Sequence, residues 1–178
     1  MIINTKPIIN QKNQLFLSPA PAADWCHLQH PRTLIGLSRK RFCNDDVLRL
    51  IDSRQIRWAW DISRKGARRP EVRIWRESLL AYLARENGGD PKAFGADDLA
   101  LPQVIGAILP KPPLAPRTAI VRGRELQRRF LCCQGHLAGL IADGELCCVG
   151  PAGPGKTPAI LYQSVFEFLK RRSMSDEQ

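Results

Sequence analysis

The strongest constraint on the fold of this chain is an internal repeat. Residues 47–83 contain the segments VLRLIDSRQIRWAWDI and RIWRESLLAYL on either side of a basic glycine loop. Near the C-terminus, HLAGLIADGELCCVGP and AILYQSVFEFL flank a second, shorter glycine loop. A sequence that repeats on this scale is built from one supersecondary unit used more than once. We therefore expect two small modules of the same fold.

Each copy predicts the same order of elements. A short helix ends in a polar turn, DSRQ or ADGE, and a β-hairpin with a glycine-containing tip follows. The closing helix has apolar residues close to the i, i+3, i+4, i+7 spacing that gives one buried face. These apolar residues are Ile74, Leu79, Leu80 and Leu83 in the first copy, and Leu161, Val165, Phe166 and Leu169 in the second.

The residues at matching positions carry a family resemblance. They are Leu50, Ile51, Ile56, Ile74, Ser78, Leu79, Tyr82 and Leu83 in the first copy, and Leu140, Ile141, Gly144, Leu146, Ile160, Ser164, Phe168 and Leu169 in the second. This order resembles the winged helix-turn-helix DNA-binding family of the MerR and phage-excisionase type, over about 70 residues in each half. The long Pro-rich connections depart from that family. The resemblance implies a mainly α fold with small β-hairpins, arranged as two tandem winged helix-turn-helix modules.

The predicted organisation has five parts. They are an N-terminal arm (1–14), a first module (15–86), a Pro-rich connector (87–116), a second module (117–172) and a frayed tail (173–178). Within the connector, the apolar residues of 97–109 predict a short helix that covers the rest of the chain or meets a partner protomer. Self-association or a protein partner is therefore expected at the connector or the second module.

Local signals place the elements of each module. In the first, helix one is either 20–28 or 33–40, and the second helix has Asn44 as its N-cap with two acidic residues in the first turn. Strands are predicted at 56–62 and 71–74, with the hairpin tip at 63–70 between them and the closing helix running to about Arg85. In the second module, helices are predicted at 118–130 and 136–142.

The charge of the chain is uneven. The net charge is +10 and the pI about 9.8, and between Arg32 and Arg76 there are 13 basic residues against five acidic ones. A positive field concentrated in one segment attracts polyanions. The expected partner is therefore nucleic acid first and an acidic membrane surface second. No stretch approaches the roughly 18 apolar residues of a membrane span, and the first residues lack a signal-peptide core. The cysteine spacing does not match a secreted disulfide framework. We expect a cytoplasmic protein without a membrane partner.

The hairpin tip of the first module is the strongest functional signal. Four cations on one tip repel each other and are expected to gain no packing there, so an anionic partner explains them best. Wing cations contact phosphates while the second helix lies in the major groove, where Asn44, Asp46, Arg49, Gln134 and His136 are candidate base readers. The predicted double-stranded DNA contacts are Arg39, Lys40, Arg41, Asn44, Arg49, Arg54, Arg57, Arg64, Lys65, Arg68, Arg69, Arg128, Arg129, Gln134, His136 and Lys156.

An alternative function comes from residues 150–157, GPAGPGKT, which satisfy the phosphate-binding pattern G-x-x-x-x-G-K-[ST] around Lys156. Only 21 residues follow Thr157, too few for the further strands of a parallel nucleotide-binding core. The loop also occupies the position of the first hairpin tip. A second alternative is a protein-interaction adaptor whose hairpins bind an acidic protein.

Other chemistry has weaker signals. Cys133, His136 and either Cys147 or Cys148 would form a zinc site if the strand folded back, but their spacing matches no standard zinc finger. The tryptophans are expected in the core. Because neither a catalytic triad nor a paired-carboxylate site is visible, we expect no enzymatic activity and no cofactor. The uneven charge suggests that the first module supplies most phosphate contacts.

Overall fold

In the computed structural model of the chain, the described residues are 25–27 (backbone only), 43–109, 119–150 and 157–175. The first half contains β1 (Trp25–His27), α1 (Asn44–Asp52), β2 (Ala59–Asp61), β3 (Val72–Trp75) and α2 (Arg76–Glu86). A 3-10 turn (Pro91–Phe94) and α3 (Leu101–Ile108) follow. The second half contains β4 (Ile120–Arg122), α4 (Gly123–Phe130), α5 (Gln134–Ala142), β5 (Cys148–Val149), β6 (Ala159–Leu161) and α6 (Tyr162–Arg172).

The two halves have the same sheet topology. Each has three antiparallel strands, ordered β1-β3-β2 in the first and β4-β6-β5 in the second. Ile74 in the central strand pairs with Cys26 and Ala59, and Ile160 pairs in the same way with Val121 and Cys148. The coarse prediction, helices combined with small β-hairpins, agrees with this architecture.

The repeat extends to individual hydrogen bonds. The backbone N–H of Trp58 donates to Ser78 Oγ at 3.0 Å, and that of Cys147 donates to Ser164 Oγ at 3.0 Å. The polar turns match as well, because Arg54 and Gly144 both adopt a left-handed conformation, with φ of 59° and 73°. Glycine takes this conformation without steric cost, whereas it is uncommon for an arginine. The alignment of Ser78 with Ser164 therefore holds in three dimensions.

Two hydrophobic clusters form the core. One lies within the first copy, between α1, the inner face of its sheet and α2; its members are Val47, Leu50, Ile51, Ile56, Ala59, Val72, Ile74, Leu79 and Tyr82. The other begins at Trp58, Trp60 and Trp75 on the first sheet and continues through α3 into the second copy. The expectation that these tryptophans lie in the core is confirmed.

The connector helix is an internal cover. Leu101, Val104, Ile105 and Ile108 are buried in the cluster that joins the two copies, where α3 lies against α6. Of the two predicted outcomes for the apolar connector, the structure shows the intramolecular one. The outer face of the second sheet stays open, with Ile120 and Val149 exposed by 53% and 48%.

Two predicted helices include residues that form strands in the structure. Residues 120–122, placed in a helix spanning 118–130, form β4, because β-branched Ile120 and Val121 suit a strand. The helix begins at Gly123, whose N–H donates to the Pro158 carbonyl at 2.7 Å. Residues 25–27, placed in the alternative first helix at 20–28, pair with β3 as a strand. The rival helix at 33–40 lies outside the described residues.

The predicted cap and tail also need correction. Cys43, not Asn44, is the N-cap of α1, and the carboxylate of Asp46 reaches back to the Cys43 N–H at 2.8 Å. The predicted frayed tail is wrong for residues 173–175. Ser173 forms a β-bridge with Trp60, and Met174 N–H donates to the Ala59 carbonyl at 2.9 Å. These bonds cover the free edge of β2, which would otherwise expose unpaired backbone groups.

The equivalent serines give a matched test of the fold. We expect Ser78→Ala to lower the free energy of unfolding by about 1–3 kcal/mol, because the buried N–H of Trp58 loses its acceptor. Ser164→Ala should cost about 1 kcal/mol or less, because Cys147 is exposed and water can replace the hydroxyl. Urea unfolding of both variants measures the difference. Equal losses would contradict the distinction in burial.

Candidate nucleic-acid interface

Helix α1 presents one cation outward, Arg49, beside the exposed Asp45 and Asp52, because its apolar residues bury the opposite side. Val47, Leu50 and Ile51 pack into the core, which leaves Arg49 with 78% of its side chain exposed. Asp46 lies 3.4 Å from Arg49. The N–H of Cys43, donating to the Asp46 carboxylate, holds the pKa of that group below its usual range. Asp46 therefore caps the helix as an anion, and Arg49 is the candidate base reader that projects furthest.

The remaining predicted residues of this helix differ in exposure. Asn44 is half-buried, and among the described residues its Oδ1 has no hydrogen-bond partner. Arg54 is exposed in the turn that follows α1. Arg57, predicted to contact DNA, is instead half-buried, donates to the Asp97 carbonyl and lies 4.8 Å from the centre of the Trp58 ring.

Residues 63–70, which we call the first wing, have a fixed root and an exposed tip. Asp61 Oδ1 accepts the N–H groups of Ser63 and Glu71 at 2.9 and 3.0 Å, which closes the hairpin. Gly66 supplies the left-handed residue of the tip, with φ of 77°. All four predicted cations at the tip are exposed: Lys65, Arg68, Arg69 and Arg64, the last with 49% of its side chain exposed.

The fourth wing cation, Arg64, is held by the second copy. Its Nε and Nη2 donate to the two carboxylate oxygens of Asp143, each at 3.0 Å. This two-bond geometry is the one that guanidinium groups form best with carboxylates. The hydrogen bond from Arg64 lowers the pKa of Asp143, and the same bond raises that of Arg64. The expectation that all four wing cations gain no packing is therefore wrong for Arg64.

Helix α5 makes room for this arginine. A Cβ built on Gly139 would lie 2.3 to 2.6 Å from the Arg64 side chain, so a larger residue here would push the end of that side chain aside. Gly139 is buried in consequence. The outer surface of α5 is therefore a docking surface for the first wing.

A second set of bonds ties the copies together around Arg73, which is 1% exposed. Its Nε donates to the Phe130 carbonyl at 2.7 Å, and its Nη2 donates to the Leu131 carbonyl at 3.1 Å and to Glu71 Oε1 at 2.6 Å. Leu131 ends α4 in a left-handed conformation. Arg73 thus satisfies carbonyl groups that a helix C-terminus leaves unpaired.

His136 belongs to the same interface. Its Nδ1 lies 3.0 Å from Glu71 Oε2 and its Nε2 lies 2.8 Å from the Ile62 carbonyl, both in the first copy. Only 11% of its side chain is exposed. The structure therefore places this candidate base reader against protein, while Gln134, the other candidate of the second copy, is exposed on α5.

The two equivalent helices have opposite surroundings. Ser53 N–H donates to the Arg49 carbonyl in α1, as Asp143 N–H does to the Gly139 carbonyl in α5, so Arg49 corresponds to Gly139. On α5 the positions of His136, Gly139 and Asp143 are covered by the first copy. On α1 the corresponding residue, Arg49, is not covered by any of the described residues and is exposed to solvent. Only α1 presents this face to solvent.

The other predicted contacts lie in the second copy or outside the described residues. Arg128 has 69% of its side chain exposed and lies 3.1 Å from Glu125. Arg129, a predicted DNA contact, has only 18% of its side chain exposed and instead bonds Glu125 at 2.8 Å and the Ile108 carbonyl. Four predicted contacts lie outside the described residues: Arg39, Lys40, Arg41 and Lys156.

Sequence reasoning missed the residues that join the copies. Asp143 was assigned only to a polar turn, and Gly139 and Arg73 were assigned no role. One signal was available for Arg73, because in the strand VRIW the side chains alternate between the two faces of a sheet. An arginine flanked by Val72 and Ile74 must therefore lie on the face opposite the core of its own module.

The surroundings of the glycine loop differ from those of a nucleotide site. Residues 150–157 connect β5 to β6, which are antiparallel neighbours. A phosphate-binding loop of the predicted type instead joins a strand of a parallel sheet to a helix. The backbone before and after the loop therefore matches a hairpin.

The described residues also bear on the metal and membrane sites considered from the sequence. Within 43–109, 119–150 and 157–175, no group of three or more His, Cys, Asp or Glu side chains is placed to hold a metal ion. Both ring nitrogens of His136, a proposed zinc ligand, face partners in the first copy. None of the described helices has the length and apolar character needed to cross a membrane.

Comparisons with known proteins add no family. No protein-family model matches the chain, and neither the curated proteins nor the solved structures include a significant match.

The Gly139 contact can be tested with helix propensity. Replacing glycine by alanine inside a helix normally raises stability by about 1 kcal/mol. We expect Gly139→Ala to lose most of that gain, because the methyl group displaces Arg64 from Asp143. The gain should return in an Arg64→Ala background. Gly135→Ala in the same helix, where space is open, is the control. Urea unfolding that gave Gly139→Ala its full gain in the wild-type background would contradict the contact.

The adjacent cysteines offer a chemical test of burial. Burial raises the pKa of Cys132 to about 12, whereas the Cys133 thiol is exposed. At pH 8 only about one Cys132 thiol in ten thousand is then ionised. We expect iodoacetamide to modify Cys133 well before Cys132, as located by fragmentation mass spectrometry. Denaturation in urea should bring the two rates close together, and equal rates in the folded protein would contradict the burial.

Proposed function

We propose that this chain is a double-stranded DNA-binding protein that uses α1 and the first wing. Its expected role is that of a transcriptional regulator or an accessory factor of a mobile element. The proposal follows the resemblance to winged helix-turn-helix domains of the MerR and excisionase type. Helix α1 takes the position of the helix that enters the major groove, and the wing takes that of the phosphate-contacting hairpin.

The arrangement of elements supports this assignment. In the second copy, α4 and α5 are joined by only three residues, with Leu131 in a left-handed conformation at the bend. Two helices joined by a three- or four-residue turn and followed by a hairpin make up a winged helix-turn-helix. By the repeat, α1 corresponds to α5 and is therefore the groove-reading helix of the first copy.

The observation that carries the proposal is the exposure of the cations. Lys65, Arg68 and Arg69 are exposed on a hairpin whose root is closed by Asp61, and Arg49 is 78% exposed on α1 of the same copy. Like charges at one tip raise the free energy of the isolated protein, and a polyanion relieves that repulsion. Arginine on a groove-facing helix suits guanine, which presents two acceptors to a guanidinium group.

The adaptor function makes a different prediction from the same cations. An acidic protein would relieve the same repulsion, but it would not respond to base sequence at Arg49. Binding that survives nuclease treatment and is unaffected by competing duplex DNA would favour the adaptor. The hairpin position of the glycine loop gives no comparable support to nucleotide binding.

The test is the salt dependence of duplex binding. For B-DNA the logarithm of the association constant falls with the logarithm of salt concentration by about 0.9 for each phosphate contact. We expect the triple variant Lys65→Ala, Arg68→Ala, Arg69→Ala to bind more weakly and to reduce that slope by about 3. Fluorescence anisotropy with random-sequence duplexes measures both.

A matched control removes three exposed cations elsewhere, by Lys92→Ala, Arg124→Ala and Lys170→Ala. It should change the slope by much less than the wing variant does. Arg49→Ala should instead reduce discrimination between sequences, by about 1–3 kcal/mol at one base pair. The proposal fails if the wild-type protein shows no salt-sensitive binding to duplex DNA in the micromolar range or tighter.

A further inference from the structure

Only α1 exposes the face that carries Arg49, which raises the question of what the second copy contributes. The equivalent face of the second copy consists of His136 and Gly139 on α5 and Asp143 directly after it, at i, i+3 and i+7, and each meets the first copy. This face of the second copy cannot enter a major groove, although Gln134 and Ala138 elsewhere on α5 are exposed. The second copy therefore cannot use this face to read bases, and its contacts with the first copy indicate a further role.

The contacts of α5 concentrate on the root of the first wing. His136 meets the Ile62 carbonyl and Glu71, which lie directly before and after residues 63–70. Asp143 holds Arg64 by two bonds, one residue before Lys65. Ile62 and Ser63 are buried at 0% and 7% exposure, whereas Lys65 is exposed. The boundary between fixed and free residues therefore falls at Arg64.

We propose that the second copy is a clamp that holds the first wing in its DNA-binding position, with Asp143 and Arg64 as positioning residues. This inference rests on the proposed function. The reason is entropic: association must order long side chains and loops, at roughly 0.5–1.5 kcal/mol for each immobilised side chain. A hairpin whose root is already fixed by the protein loses less freedom when its tip contacts phosphates.

The clamp predicts that Asp143→Asn changes the affinity for DNA in the direction opposite to the one expected from charge alone. Removing a negative charge beside a cationic wing should, by Coulomb's law alone, strengthen the binding of a polyanion. The clamp has the opposite consequence, because the asparagine side chain cannot retain the charged two-bond pair with Arg64. We expect duplex DNA to bind about tenfold more weakly to Asp143→Asn, with a smaller salt slope.

Two further variants separate positioning from charge. Asp98→Asn removes the same charge from an exposed residue and should leave binding equal or slightly stronger. Arg64→Lys keeps the wing charge but loses the planar fork, so it should weaken binding in the same direction as Asp143→Asn. If Arg64 served only as a charge toward phosphate, the lysine would bind as well as the wild type, and the clamp would be wrong.

A double-mutant cycle locates the effect in the wing. In the Lys65→Ala, Arg68→Ala, Arg69→Ala background, Asp143→Asn should alter the affinity by less than about twofold, because the three cations that follow Arg64 and depend on its position are gone. An equal loss in both backgrounds would show that Asp143 acts elsewhere. Tighter binding by Asp143→Asn would also overturn the clamp, because it would show that the ion pair holds Arg64 away from DNA.

A measurement without DNA tests the clamp independently of the proposed function. Trypsin cleaves after lysine and arginine, so Lys65 and Arg68 report the mobility of the tip. We expect limited digestion of full-length Asp143→Asn to cut after these residues several times faster than the wild type or Asp98→Asn. An unchanged cleavage rate would refute the clamp whether or not the protein binds DNA. Absence of salt-sensitive binding by the wild type would refute the proposed function alone.

Discussion

The structure depends on one buried cation, Arg73. A guanidinium group taken out of water destabilises a fold unless its donors find partners, and loss of those partners would leave an uncompensated buried charge. Here the partners are the carbonyl groups of Phe130 and Leu131, together with Glu71. The end of α4 is thereby fixed against β3. Since only three residues separate α4 from α5, the same bonds also determine which face of α5 meets the first wing.

This constraint explains why two copies of one module have different surfaces. The first copy has Arg49 at the position where the second has Gly139, and only the glycine leaves space for an arginine from the other copy. The first copy has Ser53 where the second has Asp143, so only the second provides a carboxylate for Arg64. Differences of one residue at equivalent positions thus decide which helix is covered and which stays exposed.

The sequence predicted the repeat, the hairpins, the closing helices and the apolar connector helix, because each has a local periodicity or a local turn signal. It misplaced β4, because three residues are too few to show alternation and Gly123 marks the helix start only through its contact with Pro158. The exposure of candidates such as Arg49 and Lys65 could be predicted, because it depends on a single helix or a single hairpin tip. The roles of Arg64, His136 and Arg73 depend on residues 57 to 79 positions away, and no local pattern records such distances.

The outer face of the second sheet is left exposed because of the way in which the two copies meet. A pair related by a two-fold axis would use the same surface on both members. In this chain the outer face of the first sheet meets α4 and α5 of the second copy, so the association is head-to-tail. Such an association leaves two unlike surfaces unused, α1 with its arginine and the second sheet with Ile120 and Val149. The two exposed surfaces are therefore not equivalent, as they would be in a symmetric pair.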